Sequence, residues 1–499
     1  MKSSASQRAE TLVKTLRERP PVHFIGGVGA EPDGGATLKI INPADGQMVA
    51  RSAGGNDRDV DRAVRSAQGA FDDGWPLTTP SERASLLAAA ATTLETNARD
   101  FAILTTLETG KTYRESLTID VQWAIAALRY YAGWTTKSAG ELHDLGGGYL
   151  GLVSREPQRV VGAITSWQFP LAFAAWKAGA ALAAGACLVI KPSKHTPLAT
   201  MRFAELLTKA GVPPGVINVV TGDGPSAGNA LALHPGVESV SLSGTIETAR
   251  RVLVASAKSN LKPIHLTLGG KAANILFEDA DMKRAMASAW KAIFAHRGAM
   301  CTAGSRLLAH HTLYDDVVHT ITARARQLVV GDPLDDHTEM GPIISEAQMN
   351  RVLGYAELGR QEGARLVAGG GRDVEGTKAN GFFVSPTVFM DTDPSMRITQ
   401  EEIPGPVLTI QSFRHEDEAI EIANGTSYGM AAALWTADLR RAHRVARKLR
   451  AGVVWVNQYD VIDPSLPFGG RGLSGQGREL GESGLAQCQA TKTIYVPAI

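Results

Sequence analysis

The sequence predicts an α/β fold built on a parallel β-sheet with crossover helices. Between residues 158 and 268, short runs of β-branched and apolar residues alternate with helical segments. The strand segments are almost continuously apolar, as expected for strands that helices cover on both faces. A less regular alternation over residues 269–468 predicts a second α/β unit.

The N-terminal part of the chain is predicted to be helical. Residues 1–20 are expected to form either a short amphipathic helix or a disordered arm. Apolar residues at three- and four-residue spacing predict helices over Val60–Asp72, Ser81–Gly110 and Val121–Tyr131. These helices would pack against the core of the first α/β unit.

The sequence patterns predict the following strands and helices in the rest of the chain. The expected strands are 159–165, 187–191, 215–220, 239–244, 263–268, 274–278, 306–310, 364–370, 407–413, 431–436, 452–457 and 491–496. The expected helices between them are 176–184, 198–210, 226–234, 247–259, 280–295, 313–328 and 436–450. The last thirty residues are otherwise expected to be loops.

Length, composition and charge exclude several classes of protein. The chain has 499 residues, of which 44% are hydrophobic and 20% charged, so it has enough apolar surface for a large core. Lys and Arg total 51 and Asp and Glu total 50, a formal net charge of +1 that argues against a nucleic-acid partner. The stretch Leu171–Ile190 resembles a membrane span, but Lys177, Gly179 and Gly185 interrupt it, so a buried helix and strand are expected instead.

Cysteine and histidine usage bears on compartment and metal binding. Three cysteines in a chain of this length cannot form a disulfide framework, which favours a reducing, cytoplasmic location. The N-terminus lacks the apolar stretch of a secretory signal. Adjacent His310 and His311, without an HExxH motif, predict no metal site.

Two glycine- or hydroxyl-rich turns lie at predicted strand ends. Gly222–Gly228 opens a helix, and its backbone N–H groups are either a phosphate site or an ordinary strand-to-helix turn. Ser241–Thr245 is likewise either a phosphate site or simple helix N-capping. Two such turns at the carboxyl ends of one parallel sheet favour a bound dinucleotide.

Cys301 is the candidate nucleophile. It lies among Gly and Ala residues, so it is sterically open, and His296 and Arg297 nearby are expected to favour the reactive thiolate. The alternative is a buried structural cysteine, which fits Cys187 in its apolar run. Lys177, within an apolar helix, predicts a carboxylate or carbonyl partner against it.

A series of motifs in this order resembles the aldehyde dehydrogenase superfamily from about Phe24 to Val496. The motifs are SWQFPL at 166–171, WKAGAAL at 176–182, KPSK at 191–194, VSLSGT at 240–245, LTLGGK at 266–271, MCTAGSR at 300–306, EEIPGPV at 401–407, PFGGRGLSG at 467–475 and GRELGESGL at 477–485. The resemblance implies an aldehyde dehydrogenase-like fold. Its expected parts are a Rossmann-type dinucleotide-binding domain over 1–133 and 156–266, a catalytic domain over 267–468, and a small β oligomerisation arm over 134–155 and 469–499 that builds dimers or tetramers.

The resemblance also implies the chemistry: oxidation of an aldehyde to a carboxylic acid with NAD(P)⁺. Cys301 would attack the aldehyde, and the oxyanion would be held by the Cys301 backbone N–H and a side-chain amide, normally Asn but here Gln168. After hydride transfer, water would hydrolyse the thioester on Cys301. The extra methylene of Gln168 displaces the amide, and a misplacement of about 1 Å can cost around a hundredfold in rate.

The general-base Glu of the family is replaced by Thr267, whose hydroxyl cannot take a proton from water at neutral pH. Three alternatives follow. Glu479, which matches a family Glu that contacts the buried Lys177, takes over as base; or coenzyme A takes the acyl group, as in the acylating branch of the family; or the protein is a catalytically weak member that acts by binding.

The resemblance implies the cofactor contacts Thr165, Ser166, Trp167, Lys191, Ser193, Lys194, Gly224, Gly228, Ser243, Gly244, Thr245, Leu268, Gly269 and Glu402. Lys194 stands where NAD-preferring members carry a Glu. It removes a repulsion from a 2′-phosphate, so NADP is expected to be accepted alongside NAD. Pro404 replaces a Phe near the nicotinamide.

The substrate tunnel implied by position is mostly apolar with one acid. It would be lined by Phe169, Trp176, Ala295, Met300, Thr302, Asp460, Ile462 and Phe468. His296 and Arg297 replace the usual Asn-Gln pair before the nucleophile: an acidic substrate is favoured if either faces the pocket, and a scaffold role if neither does.

Overall fold

The computed structural model describes residues 4–497, which contain three larger β-sheets and one two-stranded sheet. The strands in chain order are β1 (His23–Ile25), β2 (Val28–Ala30), β3 (Thr37–Ile41), β4 (Met48–Ala53), β5 (Glu141–Gly146), β6 (Tyr149–Pro157), β7 (Val160–Ile164), β8 (Cys187–Lys191), β9 (Ile217–Val219), β10 (Ser239–Gly244), β11 (Ile264–Leu268), β12 (Ala273–Leu276), β13 (Arg306–His310), β14 (Arg365–Ala368), β15 (Thr387–Met390), β16 (Val407–Phe413), β17 (Ala431–Trp435), β18 (Val453–Val456) and β19 (Gln489–Pro497).

The α-helices cover the faces of the two large sheets. In chain order they are α1 (Ser4–Glu18), α2 (Asp57–Asp72), α3 (Pro80–Thr96), α4 (Ala98–Thr109), α5 (Tyr113–Glu115), α6 (Val121–Trp134), α7 (Pro170–Ala184), α8 (Leu198–Lys209), α9 (Asn229–Leu233), α10 (Ile246–Ala257), α11 (Met282–Phe294), α12 (Tyr314–Gln327), α13 (Glu346–Gln361), α14 (Arg397–Gln400), α15 (Glu416–Asn424), α16 (Leu439–Lys448) and α17 (Gly481–Ala486).

The first large sheet has the strand order β11-β10-β7-β8-β9-β1-β2. Its five strands β7 to β11 are parallel, and β1 and β2 add antiparallel edges. From β7 the chain moves to one side through β8 and β9, and then crosses back to place β10 and β11 on the other side. The strand order therefore reverses between β7 and β10, and such a switch point opens a ligand crevice at the carboxyl ends of the strands.

The second large sheet has the order β14-β15-β16-β13-β12-β17-β18, parallel except for β14. Strand β11 ends the first sheet and β12 begins the second, so the segment Gly269–Ala272 joins the two. The α/β prediction for both units is confirmed, with the predicted strands and helices in place.

A three-stranded antiparallel sheet, β19-β6-β5, lies apart from the two large sheets. It brings the C-terminal strand against the segment around residues 141–157. Most of its side chains are exposed or only half-buried. The domain boundaries and the oligomerisation role given above for this arm stay predictions.

Some elements differ from their sequence-based predictions. The single helix expected over Ser81–Gly110 is divided into α3 and α4 at Asn97, because the Asn97 side chain donates a hydrogen bond back to the Thr93 carbonyl at 2.8 Å and caps α3. The sequence also missed α13, which buries only Met349, Val352, Ala356 and Gly359. Helix α17 lies in a segment expected to be loop.

Helix α7 is buried along its whole length, which places Lys177 inside the protein. Strand β8 follows it and is also fully buried. The apolar stretch Leu171–Ile190 is therefore a buried helix and strand, as predicted. Within residues 4–497, no helix combines the length and apolarity needed to cross a membrane.

Candidate active site and cofactor crevice

The switch point between β7 and β10 is lined by polar groups that lack protein partners. Thr165 follows β7, and Ser243 lies near the end of β10. Among residues 4–497, neither the buried Thr165 Oγ1 nor the buried Ser243 Oγ has a hydrogen-bond partner. Because buried hydroxyls are normally satisfied, these two fit a polar ligand in the crevice.

The two turns predicted from the sequence both serve as helix caps. The carboxylate of Asp223 accepts the Ser226 N–H at 2.8 Å at the start of the short π-helical turn Gly224–Gly228. Thr245 Oγ1 accepts the Thr248 N–H at 3.3 Å at the start of α10. Capping therefore explains both turns structurally, and cofactor contact at Gly224, Gly228, Gly244 and Thr245 stays a prediction.

Two lysines flank the carboxyl end of β8. Lys191 is buried, and this burial lowers the pKa of its ammonium to about 8, while Asp223 raises it and Lys194 lowers it. Lys194 is exposed, and Ser193 between them is half-buried. An anionic group placed at this strand end would meet two positive charges.

Cys301 lies in the segment between α11 and β13, where it contacts the connection between the two sheets. A Cβ on Gly270 would clash with the Cys301 carbonyl oxygen, so only glycine permits this close approach of the two backbones. The Cys301 side chain is 7% exposed. Burial raises the pKa of its thiol well above the usual value, the charges of Asp460 and Glu402 raise it further, and backbone hydrogen bonds from Cys301 and Thr302 oppose this.

His296 and Arg297 do not act on Cys301 as the sequence suggested. Both adopt positive φ values, 49° and 60°, and are 1% exposed. The His296 N–H donates to Glu115 Oε1 at 2.8 Å, and its ring lies 4.9 Å from the Phe169 ring centroid. Arg297 interacts electrostatically with Glu115. His296 therefore packs against Phe169, and Arg297 is buried near Glu115 and Asp120. The acidic-substrate and scaffold roles of these two residues both stay predictions.

Glu402 lies directly over the LGGK segment. A Cβ on Gly269 would overlap the Glu402 carboxylate, so the glycine makes room for it. Burial raises the pKa of Glu402 to about 7, opposed by the charges of Arg351 and Lys271. Trp167 packs on the apolar cluster that includes Val352 and Ile403, next to Glu402.

Lys177 has the carboxylate partner that its burial predicted, and the partner is Glu479. Lys177 Nζ hydrogen-bonds Glu479 Oε1 and donates to Ser241 Oγ at 2.7 Å. Ser241 Oγ donates to Glu479 Oε1 at 3.1 Å, and Thr267 Oγ1 donates to the same oxygen at 3.5 Å. The replacement Thr267 is thus connected directly to the carboxylate that the sequence offered as an alternative base.

The backbone of Glu479 also contacts Phe468, which is predicted to line the substrate tunnel. Its backbone forms a pair of 2.7 Å hydrogen bonds with Phe468, one in each direction. The Phe468 ring contacts Trp176 with centroids 5.7 Å apart. These two backbone hydrogen bonds hold Glu479 close to Phe468, a residue of the predicted substrate tunnel.

Aromatic residues pack in the same apolar cluster as Cys301. Phe169, Trp176, Met300, Cys301 and Phe468 belong to one apolar cluster, against which half-buried Ile462 packs. The sequence missed two members of this group: Trp123, whose ring is 5.1 Å from Phe169, and Phe173, 5.4 Å from Trp176. Ala295 lies at the end of α11 and is half-buried.

The polar side of the same wall is built by residues after β18. Thr302 Oγ1 donates to Asp460 Oδ1 at 2.8 Å, and Tyr459 donates to the Thr302 carbonyl at 2.7 Å. Burial raises the pKa of Asp460 to about 6, and the Thr302 hydrogen bond opposes the shift. A buried thiol, a carboxylate and an aromatic wall therefore meet where the two large sheets join.

Comparison with known proteins decides the family. Residues 30–494 match the model of the aldehyde dehydrogenase family. The chain belongs to the aldehyde dehydrogenase family. It is an NAD(P)⁺-dependent enzyme that oxidises aldehydes.

Relatives and solved structures agree over nearly the full length. The chain is 41% identical to the mitochondrial aldehyde dehydrogenase of Rattus norvegicus over 98% of this chain and 95% of that protein. It is 40% identical to a putative aldehyde dehydrogenase of Bacillus subtilis over 99% of both. The structure of a P. syringae indole-3-acetaldehyde dehydrogenase in complex with NAD⁺ covers 99% of both chains, with 41% identity and a TM-score of 0.95.

Several residues in the site of this aldehyde dehydrogenase can be identified only from the three-dimensional structure. Ser241, Trp123 and Phe173 carry no motif of their own. The alternation of β10 could have suggested Ser241, because Ser239, Ser241 and Ser243 share one strand face. Gln168 is half-buried in the turn before α7, and its backbone N–H donates to Ser166 Oγ at 3.3 Å.

Proposed function

We propose that this aldehyde dehydrogenase oxidises its aldehyde through a thiohemiacetal and a thioester on Cys301, and that Thr267 and Glu479 together activate the water that hydrolyses the thioester. One observation carries the proposal: the Thr267 hydroxyl donates to Glu479 at 3.5 Å. A hydroxyl that donates to a carboxylate keeps its lone pairs free to accept a hydrogen bond from water, so the proton of the water can pass through it to the carboxylate.

In the first half-reaction, the Cys301 sulfur adds to the aldehyde carbon. The Cys301 backbone N–H and the Gln168 amide hold the resulting oxyanion. A donor of this kind contributes about 3 kcal/mol to the barrier reduction. Burial raises the pKa of this thiol, so the sulfur is protonated before attack, and its proton is released to solvent as the C–S bond forms and the oxyanion develops.

The crevice residues suit a dinucleotide. Thr165, Ser243, Lys191 and Lys194 would hold its phosphates and ribose, with Glu402 at the nicotinamide ribose. NAD(P)⁺, when bound, accepts the hydride from the thiohemiacetal carbon. The unpartnered Thr165 and Ser243 hydroxyls and the glycine cradle at Gly269 support this fit.

In the second half-reaction, water adds to the thioester carbon. As its O–H bond breaks, the proton passes to Thr267 Oγ1 while Thr267 passes its own proton to Glu479. The C–S bond then breaks, which frees Cys301 and the carboxylic acid. The Lys177 ammonium forms an ion pair with Glu479 and so holds this carboxylate beside Thr267.

The cofactor preference and assembly are further parts of the proposal. Lys194 beside Lys191 favours a 2′-phosphate, so both NAD and NADP are used. The exposed sheet β5-β6-β19 presents strands for pairing with a second copy, in a homodimer or homotetramer. A cytoplasmic location is proposed from the free state of Cys187, Cys301 and Cys488.

A burst assay tests the catalytic proposal. Wild-type enzyme is mixed with an aldehyde panel and NAD⁺ or NADP⁺, with and without coenzyme A. The proposal expects a burst of reduced cofactor near one equivalent, followed by steady turnover without coenzyme A. In the near-isosteric Thr267→Val the burst stays and the steady rate falls at least tenfold, whereas Thr267→Ser, which keeps the hydroxyl, retains turnover.

Two other outcomes identify the alternatives. A burst that turns over only when coenzyme A is added would assign the acylating reaction. Cofactor binding by calorimetry with no reduced cofactor from any aldehyde would assign a binding role and reject the proposal.

A further inference from the structure

A continuous row of polar side chains runs along one face of the first sheet. In the parallel pair β10 and β11, Ser241 lies opposite His265 and Ser243 lies opposite Thr267. Because side chains alternate along a strand, His265 and Thr267 share one face of β11. The row therefore starts at the proposed water-activating residue and leads back along the strands, away from the cofactor crevice.

Hydrogen bonds connect the row at both ends. Near the reaction site, Glu479 Oε1 accepts hydrogen bonds from Thr267, Ser241 and Lys177. Lys177 also donates a hydrogen bond to Ser241. At the far end, Ser239 Oγ hydrogen-bonds Gln158 Oε1. Between these two ends lies His265.

Glu479 and His265 both line one small cavity. Its volume is about 20 Å³, and Lys177, Ser241, His265 and Glu479 are among the side chains that line it. A cavity of at least ~10–15 Å³ with several polar partners has room for one water molecule. Such a water would lie within hydrogen-bonding range of donors and acceptors from three different elements.

In this row, His265 has a side chain that is both titratable and partly accessible to solvent. Its side chain is half-buried, whereas Thr267 is 4% and Glu479 is 6% exposed. The charged groups that act on it are Glu479, from the segment before α17, and Lys177, from α7. Burial lowers the pKa of His265, Glu479 raises it and Lys177 lowers it. At neutral pH the ring is uncharged and can accept a proton.

We propose that His265 is the proton exit of the deacylation step: the proton that Glu479 receives leaves through the cavity to the His265 ring and then to solvent. The inference rests on the proposed function of Thr267 and Glu479. The transfer balances, because hydrolysis of one thioester releases one proton, which His265 takes up as an imidazolium and then gives to bulk water. Glu479 thereby returns to its ionised form for the next turnover.

The test measures deacylation directly. The enzyme is acylated on Cys301 with an activated aryl ester, excess ester is removed, and loss of the acyl mass is followed by mass spectrometry. In His265→Gln we expect deacylation to slow about tenfold or more, within the range of proton-transfer contributions. Added imidazole should restore the rate in proportion to its concentration. His319→Gln, an exposed histidine on α12, is the matched control and should deacylate as wild type.

The outcomes separate this inference from the proposed function. The acylation burst with aldehyde and cofactor should be unchanged in His265→Gln, and its midpoint of thermal unfolding should stay near that of wild type. Wild-type deacylation in His265→Gln would overturn the exit role, as would a slow rate that imidazole does not restore. A failure of the proposed function is different: wild-type enzyme would show no burst, or Thr267→Val would deacylate normally.

Discussion

Thr267 Oγ1 lies 3.5 Å from Glu479 Oε1. The same carboxylate oxygen accepts a hydrogen bond from Lys177 Nζ. A residue that replaces the family's base is therefore in contact with a second carboxylate, held in place by a buried ammonium. In the proposed function, this contact gives the proton a route to Glu479 in place of the usual glutamate. The predictions below test the parts of this arrangement separately.

Removing the sulfur should stop chemistry without preventing cofactor binding. In Cys301→Ala we expect no burst of reduced cofactor, because no thiohemiacetal can form, whereas the dissociation constants for NAD⁺ and NADP⁺ stay near wild type. Stopped-flow absorbance and calorimetry measure the two quantities. Cys187→Ala, in buried β8, is the control and should keep its burst. Residual aldehyde-dependent reduction in Cys301→Ala would place the nucleophile elsewhere.

Restoring a glutamate at position 267 tests which step limits turnover. If deacylation is slow, Thr267→Glu should raise the steady-state rate while the burst rate stays constant, because a base then contacts the water directly. Thr267→Gln has similar size but no proton-accepting carboxylate, so it should not raise the rate. An equal steady rate in wild type and Thr267→Glu would mean that Glu479 already removes the proton fast enough.

The pH dependence of the thiol should respond to Asp460. Burial raises the pKa of Cys301, and the Asp460 carboxylate raises it further. Asp460→Asn removes that charge, so alkylation of Cys301 by iodoacetamide should shift to lower pH. The difference should vanish below pH about 6, where Asp460 itself is protonated. Exposed Asp463→Asn is the control, and an identical alkylation profile in Asp460→Asn would contradict the prediction.

Cofactor preference should depend on Lys194. Lys194→Glu replaces attraction for a 2′-phosphate with repulsion, so the ratio of kcat/KM for NADP⁺ to that for NAD⁺ should fall by roughly tenfold or more, at about 1.4 kcal/mol per decade. The effect should weaken at high salt, because Lys194 is exposed. Lys209→Glu, another exposed lysine at the end of α8, should leave the ratio unchanged.

The close approach of Gly269 and Glu402 predicts a cofactor defect. In Gly269→Ala the added methyl group displaces the Glu402 carboxylate. Losing one charge-assisted hydrogen bond costs about 1.5–3 kcal/mol, so the KM for cofactor should rise roughly ten- to hundredfold. Gly371→Ala meets no atom within 4 Å and serves as control. A normal cofactor KM in Gly269→Ala would show that Glu402 does not hold the ribose.

Sequence patterns predicted the strands and most of the helices because their periodicity is local. Strands β7, β8, β10 and β11 were expected from short runs of five to seven residues, and most of α7 from the mainly small and apolar residues of 176–184. The division at Asn97 was missed, because a side chain that turns back on its own helix does not change the apolar spacing. The sequence left the orientation of His296 open, because its positive φ and its contacts with Phe169 and Glu115 involve residues far apart in the chain.

The order of residues along the chain determined the family motifs, the lone thiol at 301 and the absence of a glutamate at 267. Only the folded chain decided that Thr267 contacts Glu479, since the two lie 212 positions apart and meet across the sheet. It also decided that Arg297 is buried near Glu115 and that His265 lines the same cavity as Lys177. Contacts of this kind depend on strand order and helix packing, which bring together side chains whose sequence separation carries no information about their distance.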